Sequence, residues 1–209
     1  MMRIESVAAQ PDRVGRHTVR FEDGTCMRLY RQTVEDFGLY SGKELTQEEL
    51  KRLRTAAGEM SAKMRAVRII SASSVSKMDL EQRLVHKGEN PEQAKKAVQW
   101  LSEMDVLDDE KTAQQVVSQC IRKGYGLARA KQALYEKRIP RQYWEMALAD
   151  YPDQTDAIVS FLKNRLGNDW DDKDVRRATD ALIRRGHSYS QIRKGLEILS
   201  LDNEFLEDT

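Results

Sequence analysis

The sequence predicts a mainly α protein in which a small N-terminal β-rich module precedes three tandem three-helix repeats forming an elongated, curved body. Three observations carry that expectation. Residues 3–31 alternate apolar and polar side chains as strands do. From residue 60 onward, apolar residues recur at i, i+3, i+4 and i+7, the stripe of a helix with one buried face. The helical pattern also repeats: Leu80 and Leu84, Ala130 and Leu134, and Ala178 and Leu182 coincide at offsets of 50 and 48 residues. The expected domains are 1–58 (hairpin module plus linking helix), 59–107, 108–152 and 153–209 (the three repeats, the last with an acidic tail).

In the first module, "RIESVAA" reads as one strand and "HTVRFEDGTCMRLYR" as two more around Asp23-Gly24, a pair that tolerates the positive φ of a tight hairpin. Val19 and Phe21 fall on one face. A hairpin alone is marginal, so this one must pack on something. "TVEDFGLYSGKELTQEEL" supplies a loop with Phe37 and Leu39 as buried plugs, and Thr46-x-x-Glu49 is a capping box opening a helix. The module is expected to end near Gly58.

Each repeat has a middle helix ending in basic residues: His86-Lys87, Lys137-Arg138 and Arg184-Arg185. Gly88 and Gly186 then supply a left-handed cap without a Cβ penalty, and Arg138 stands where a third glycine is expected. Flanking helices are expected at about 60–72, 108–123 and 155–166 before these, and at about 91–104, 140–149 and 188–200 after them. Pro91 and Pro140 sit at helix starts, where the missing N–H costs nothing. The stretch "MDLEQRLVHKGENPEQAKKAVQWLSEMDVLDDEKTA" is therefore the second and third helices of the first repeat.

A formal net charge of +1 hides strong segregation. Residues 121–145 carry Arg122, Lys123, Arg129, Lys131, Lys137, Arg138 and Arg141 against two acids, and residues 176–194 carry Arg176, Arg177, Arg184, Arg185, Arg193 and Lys194 against one. Arg83 and Lys87 occupy the corresponding place in the first repeat. Residues 101–110 hold five acids and no base, and the tail from Glu197 holds five acids. Basic blocks at equivalent places in successive repeats would meet a polyanion or an acidic protein surface through several simultaneous contacts. Cations near helix C-termini also answer the helix dipole, which accounts for Lys87, Lys123 and Arg185 taken singly.

Other chemistries lack their residues. No GxxxxGK[ST], GxGxxG or GxSxG occurs, so no cofactor is expected and the protein is read as a non-enzyme. His17, His86 and His187 have no partners at metal spacing and are expected exposed or half-buried. "DWDDKD" (169–174) fails as a calcium loop at Lys173 and Asp174, whereas Asp171 suits a helix N-cap; Asp108 or Asp109 suits another. Trp100, Trp144 and Trp170 read as core anchors. Cys26 and Cys120 form no metal or redox spacing, and no apolar run reaches the roughly 18 residues of a membrane span, so a cytoplasmic setting without membrane contact is expected.

Taken in order, Ser76-x-x-Asp79-Leu80-x-x-x-Leu84-x-x-Lys87-Gly88, Leu107-Asp108-Asp109-x-x-x-Ala113, Lys123-Gly124-Tyr125 and Leu134-x-x-Lys137-x-Ile139 resemble the RecX family of regulatory proteins. "FGLYSGKEL" (37–45) is similar to an N-terminal segment of longer members, and the resemblance spans essentially the whole chain. Asp79 replaces the more usual Glu, and Arg138 the usual Gly. The resemblance implies a monomeric regulator that binds the RecA recombinase filament on single-stranded DNA. Such a protein inhibits ATP hydrolysis, filament extension and strand exchange, with weaker contact to the DNA itself. The family has no catalytic motif to transfer. The alternative is a helix-turn-helix DNA reader: "NPEQAKK" argues against it because Glu92 would repel phosphate, while "SYSQIRK" is a better reader.

Overall fold

The computed structural model describes residues 1–166 and 170–207, with side chains described through Ser200 outside that gap. Most acids of the expected tail, and Asp169 of "DWDDKD", lie outside the described side chains. Two compact units emerge, one of residues 1–73 and 77–107, the other of 74–76 and 108 onward.

The first unit opens with strands β1 (Met2–Val7), β2 (Arg16–Phe21) and β3 (Cys26–Tyr30). A fourth strand not expected from the sequence, β4 (Glu44–Leu45), pairs antiparallel with β1, giving a sheet of order β3-β2-β1-β4. Two residues carry too little alternation to be read as a strand. The hairpin between β2 and β3 is wider than the expected two-residue form. Gly24 N–H donates to the Phe21 carbonyl at 2.9 Å, and only Gly24 takes a positive φ (83°), the type I turn with a left-handed glycine. Asp23 instead uses its carboxylate to accept from the Thr25 N–H and hydroxyl. The expected loop after β3 begins as helix α1 (Arg31–Asp36), held by the i,i+4 pairs Arg31–Glu35 and Gln32–Asp36. Leu39 is buried as expected; Phe37 is half-buried.

Helix α2 (Gln47–Ala72) starts at the Thr46–Glu49 capping box and runs unbroken for 26 residues. The boundary placed at Gly58 therefore falls inside a helix. Glycine there serves close approach: a Cβ would lie 2.3 Å from the Gln93 side chain, so α4 (Pro91–Glu103) crosses α2 at this point. A mid-helix glycine costs about 1 kcal/mol against alanine, which closer packing offsets. Leu50 and Leu53 near the start of α2 join Ile4, Val19, Phe21, Leu29, Leu39 and Leu45 in one core. Further along, Ala62 and Ala66 are fully buried, as are Leu80 and Leu84 of α3 (Lys77–His86) and Ala94 of α4. Asn90 caps α4 and Pro91 opens it.

The second unit contains α5 (Asp109–Arg122), α6 (Leu127–Glu136), a 3-10 turn (Arg141–Tyr143), α7 (Trp144–Leu148), α8 (Thr155–Leu166), α9 (Asp172–Arg184) and α10 (Tyr189–Glu207). Asp108 and Asp171 cap α5 and α9 as their positions suggested. The helix expected over 140–149 is instead the 3-10 turn followed by five helical residues. Neither Pro140 nor Tyr143 offers a side-chain cap, so the first turn tightens to satisfy its own donors. Val116, Val117, Leu134 and Ile139 form one core; Ile158, Leu162, Ala178, Leu182 and Ile192 form another. Trp144 and Trp170 are half-buried against these cores, and Trp144 donates its indole N–H to the Ile139 carbonyl at 2.9 Å. In the first unit Trp100 is likewise half-buried, with the Lys63 ammonium 5.1 Å from its ring centroid. The tryptophans thus line core margins rather than core centres.

Backbone meets backbone where α6 begins. Gly126 N–H donates to the Arg185 carbonyl at 2.9 Å, and a Cβ on Gly126 would lie 2.0 Å from the Gly186 carbonyl oxygen. His187 corrects the expectation of an exposed or half-buried imidazole: it is 4% exposed, with Nε2 3.0 Å from the Gly124 carbonyl and no partner at Nδ1. His86 is exposed and His17 half-buried.

Gly126→Ala should destabilise the second unit by about 1–3 kcal/mol, the usual cost of overpacking, measured by urea unfolding. Burial holds the His187 pKa below the ordinary imidazole value. The folded chain therefore binds fewer protons than the unfolded one below about pH 6.5. This stability is intact above that pH and is lost as pH falls toward the folded pKa. The thermal midpoint should drop between about pH 7.5 and pH 5.5, and His187→Gln should flatten that part of the slope.

Candidate partner-binding surface

The fifteen basic residues singled out in the sequence separate into two groups. Several are engaged within their own unit. Arg83 pairs with buried Asp79 at 2.9 Å, and Arg129 with Glu136 at 2.9 Å, an ion pair that lowers the Glu136 pKa and raises that of Arg129. Lys137 donates to the Ser74 carbonyl at 2.9 Å. Arg177, Arg193 and Lys194 reach Asp174, Glu197 and Asp153 at 3.6, 3.1 and 3.7 Å, exposed pairs that contribute little.

Arg185 is half-buried, its guanidinium 4.8 Å from the Phe161 ring centroid and 5.6 Å from that of Tyr125. One of its nitrogens donates to the Lys123 carbonyl at 3.5 Å. The C-terminal turns of α5 and α9 are thus neighbours, and Arg122, Lys123, Arg184 and Arg185 gather around them. Two helix C-termini present orphan carbonyls there, and cations are the side chains that suit them. Arg122, Lys123 and Arg184 are nevertheless exposed, with no partner among the described residues, so their charge remains available to a second molecule.

Lys131 and Arg176 are likewise exposed and unpaired among the described residues. Arg141 is exposed and lies 5.8 Å from the Trp144 ring centroid. Arg138 is exposed and takes a φ of +52°, the left-handed conformation that Gly88 and Gly186 take at the equivalent turns of the other repeats. The unfamiliar side chain therefore strains the turn rather than replacing it.

Sequence patterning missed a second gathering of charge, in the first unit. Arg16, Arg65 and Arg68 join Arg83 and Lys87 around a cleft of about 450 Å³. Arg65 and Arg68, at i and i+3, share a face of α2, which is a legible signal. Their meeting with the strand residue Arg16 depends on long-range closure, which is not.

The helix-turn-helix alternative loses its best reader. Ser188 and Gln191 bond one another and each other's backbone N–H in a capping box ahead of α10, so neither side chain is presented to a base edge. Among the described residues no group of three or more His, Cys, Asp or Glu is placed to hold a metal ion. No described helix is long and apolar enough to cross a membrane. Burial raises the Cys120 pKa, and burial also pushes Tyr151 up to about 12, where its hydroxyl donates to the Tyr125 carbonyl.

The profile of the second three-helix domain of RecX matches residues 108–148. A regulatory protein RecX of Vibrio parahaemolyticus serotype O3:K6 is 27% identical over 143 residues, covering 67% of this chain and 92% of the relative. Another from Clostridioides difficile is 26% identical over 156 residues, covering 74% and 71%. A third, from Cronobacter sakazakii, is 34% identical over 96 residues, covering 41% and 58%. A crystal structure of regulatory protein RecX superposes with a TM-score of 0.60 at 20% identity, covering 93% of this chain and all of the other. RecX from Lactobacillus salivarius superposes with a TM-score of 0.58 at 22% identity, covering 70% and 99%.

Arg185→Ala should lower stability by about 1–2 kcal/mol through its lost ring contacts, whereas Arg184→Ala should stay within about 0.5 kcal/mol of the parent. Urea unfolding of both variants separates the packed cation from the available one.

Proposed function

Because the chain belongs to the RecX family of regulatory proteins, which are non-enzymatic, we propose that it binds the RecA recombinase filament on single-stranded DNA. Acting as a monomer, it limits filament extension, ATP hydrolysis and strand exchange, with weaker contact to the DNA. The observation that carries this reading is exposed charge at helix C-termini, unpaired among the described residues. Lys87 follows α3, and Arg184 ends α9; Arg122 and Lys123 end α5 beside it. We read the helices of the chain as three successive triplets, each ending its middle helix in cations. A filament offers similar neighbours at regular spacing. A chain with similar modules in series can therefore engage more than one subunit, each contact raising the effective concentration of the next.

The reaction chemistry stays with the recombinase; this chain supplies charge and spacing. Screening by salt should therefore weaken its action, since exposed cations lose their pull beyond a Debye length of about 10 Å at 0.1 M.

Adding the purified protein to RecA on single-stranded DNA at near-stoichiometric ratios should lower DNA-dependent ATP hydrolysis. Unchanged hydrolysis together with unchanged filament length would overturn the reading. Reversing Arg122, Lys123, Arg176 and Arg184 to Glu together should raise the concentration needed for inhibition by about tenfold or more, with helical circular dichroism intact.

A further inference from the structure

The cleft of about 450 Å³ in the first unit is walled by Arg16, Arg65, Arg68, Arg83 and Lys87, with no carboxylate among its lining residues. Three of these cations are held from behind. Asp12 grips Arg16 at 2.8 Å, Glu89 grips Arg65 at 2.6 Å and Asp79 grips Arg83 at 2.9 Å. Glu89 and Asp79 are buried, so the guanidinium groups of Arg65 and Arg83 are fixed before any ligand arrives. Asp12 also accepts the backbone N–H groups of Arg16 and Val14, which with the Arg16 guanidinium draw its pKa down to about 2 and secure the loop leading into β2.

Arg68 differs from those three. It donates to the Tyr30 hydroxyl at 2.7 Å and the Val14 carbonyl at 3.4 Å, so its direction is set while its charge is not neutralised. The Lys87 ammonium has no partner among the described residues; the residue follows α3, exposed, and its carbonyl accepts from Arg65 at 3.2 Å. Five cations facing one space repel one another, and two of them lack an acid. That arrangement is relieved by an oxyanion, which Arg forks accept bidentately.

We propose that this cleft is a phosphate-binding site for a nucleic-acid strand, with Arg68 and Lys87 supplying the uncompensated charge and Arg16, Arg65 and Arg83 supplying fixed donors. It deepens the nucleic-acid part of the proposed function and rests on that part alone. The volume falls within the roughly 300–1,000 Å³ of small-ligand sites, enough for a nucleotide rather than a long segment. Val14, Ile69 and Tyr30 give the wall an apolar share on which a sugar or base can rest. An acidic peptide is the less suited occupant. Peptides add to a free strand edge or lie along a groove, and the strand residues in this wall, Arg16 and Tyr30, are already paired with each other across β2 and β3.

The test is fluorescence anisotropy of a labelled oligothymidylate of about ten nucleotides, a length within single-strand site sizes, titrated with the full chain at several salt concentrations and without recombinase. Arg68→Glu with Lys87→Glu should weaken binding by at least about tenfold and reduce the slope of log K against log salt by about 1.4, the value for two phosphate contacts on a single strand. Arg68→Gln with Lys87→Gln, which loses the same two contacts, should reduce the slope by about as much while weakening binding by less. Lys51→Glu with Arg52→Glu, an equal charge change elsewhere on α2, should leave the slope within error of the parent. If both cleft variants bind as the parent does while retaining its circular dichroism, the cleft assignment is overturned and DNA contact lies elsewhere. If the parent itself fails to bind at low salt, the DNA part of the function falls too, while inhibition of ATP hydrolysis by RecA still reports separately on the filament. Loss of hexaglutamate binding with unchanged oligothymidylate binding overturns the proposal in favour of an acidic protein segment.

Discussion

The left-handed turn that ends each middle helix is the constraint on which the helical part of the chain depends. Gly88, Arg138 and Gly186 carry φ values of +89°, +52° and +88°, and each returns the chain into its next helix. A helix that stops there leaves its last carbonyls without intrahelical donors. The basic residues before each turn stand where those carbonyls gather, and the apolar residue or capping group after each turn begins the next segment. Charge and chain reversal meet at one backbone event. Arg138 shows how strongly that event is imposed, since an L side chain accepts the conformation there at a cost of about 1–2 kcal/mol.

The same turns decide which cations are structural. Arg185 lies over two aromatic rings and Lys137 reaches back to a carbonyl, while Arg122, Lys123 and Arg184 project from the same neighbourhood without partners among the described residues. Net charge could not reveal this division. A guanidinium over an aromatic face is weakly hydrated and tolerates partial burial, as at Arg185, while the guanidinium groups of Arg122 and Arg184 have no ring or acid against them among the described residues and stay in water.

The helices were legible because burial on one face of a helix leaves a period in the sequence, and the caps were legible because Asp108, Asp171 and Thr46 each do a local job. The two-residue strand β4 and the six-residue helix α1 were not, being too short to show a period. Gly58 misled for a different reason: its meaning lies in Gln93, distant in sequence, and a glycine required by a crossing helix looks like a glycine that ends one. His187 escaped likewise, because its burial is created by a carbonyl at Gly124. The candidate site divides along the same line. Basic runs within one helix end could be read directly; the cleft that joins Arg16 to Arg65 and Arg68 exists only after a strand and a helix have met.

The contact between Gly126 and Gly186 separates spacing from surface charge. The start of α6 packs against the turn after α9 through main-chain atoms, with two backbone hydrogen bonds, Gly126 N–H to the Arg185 carbonyl and Ala128 N–H to the Gly186 carbonyl. Outward-facing side chains such as Lys131 and Arg184 stand clear of that contact, so the spacing of the helices that carry them is set by backbone rather than by charge.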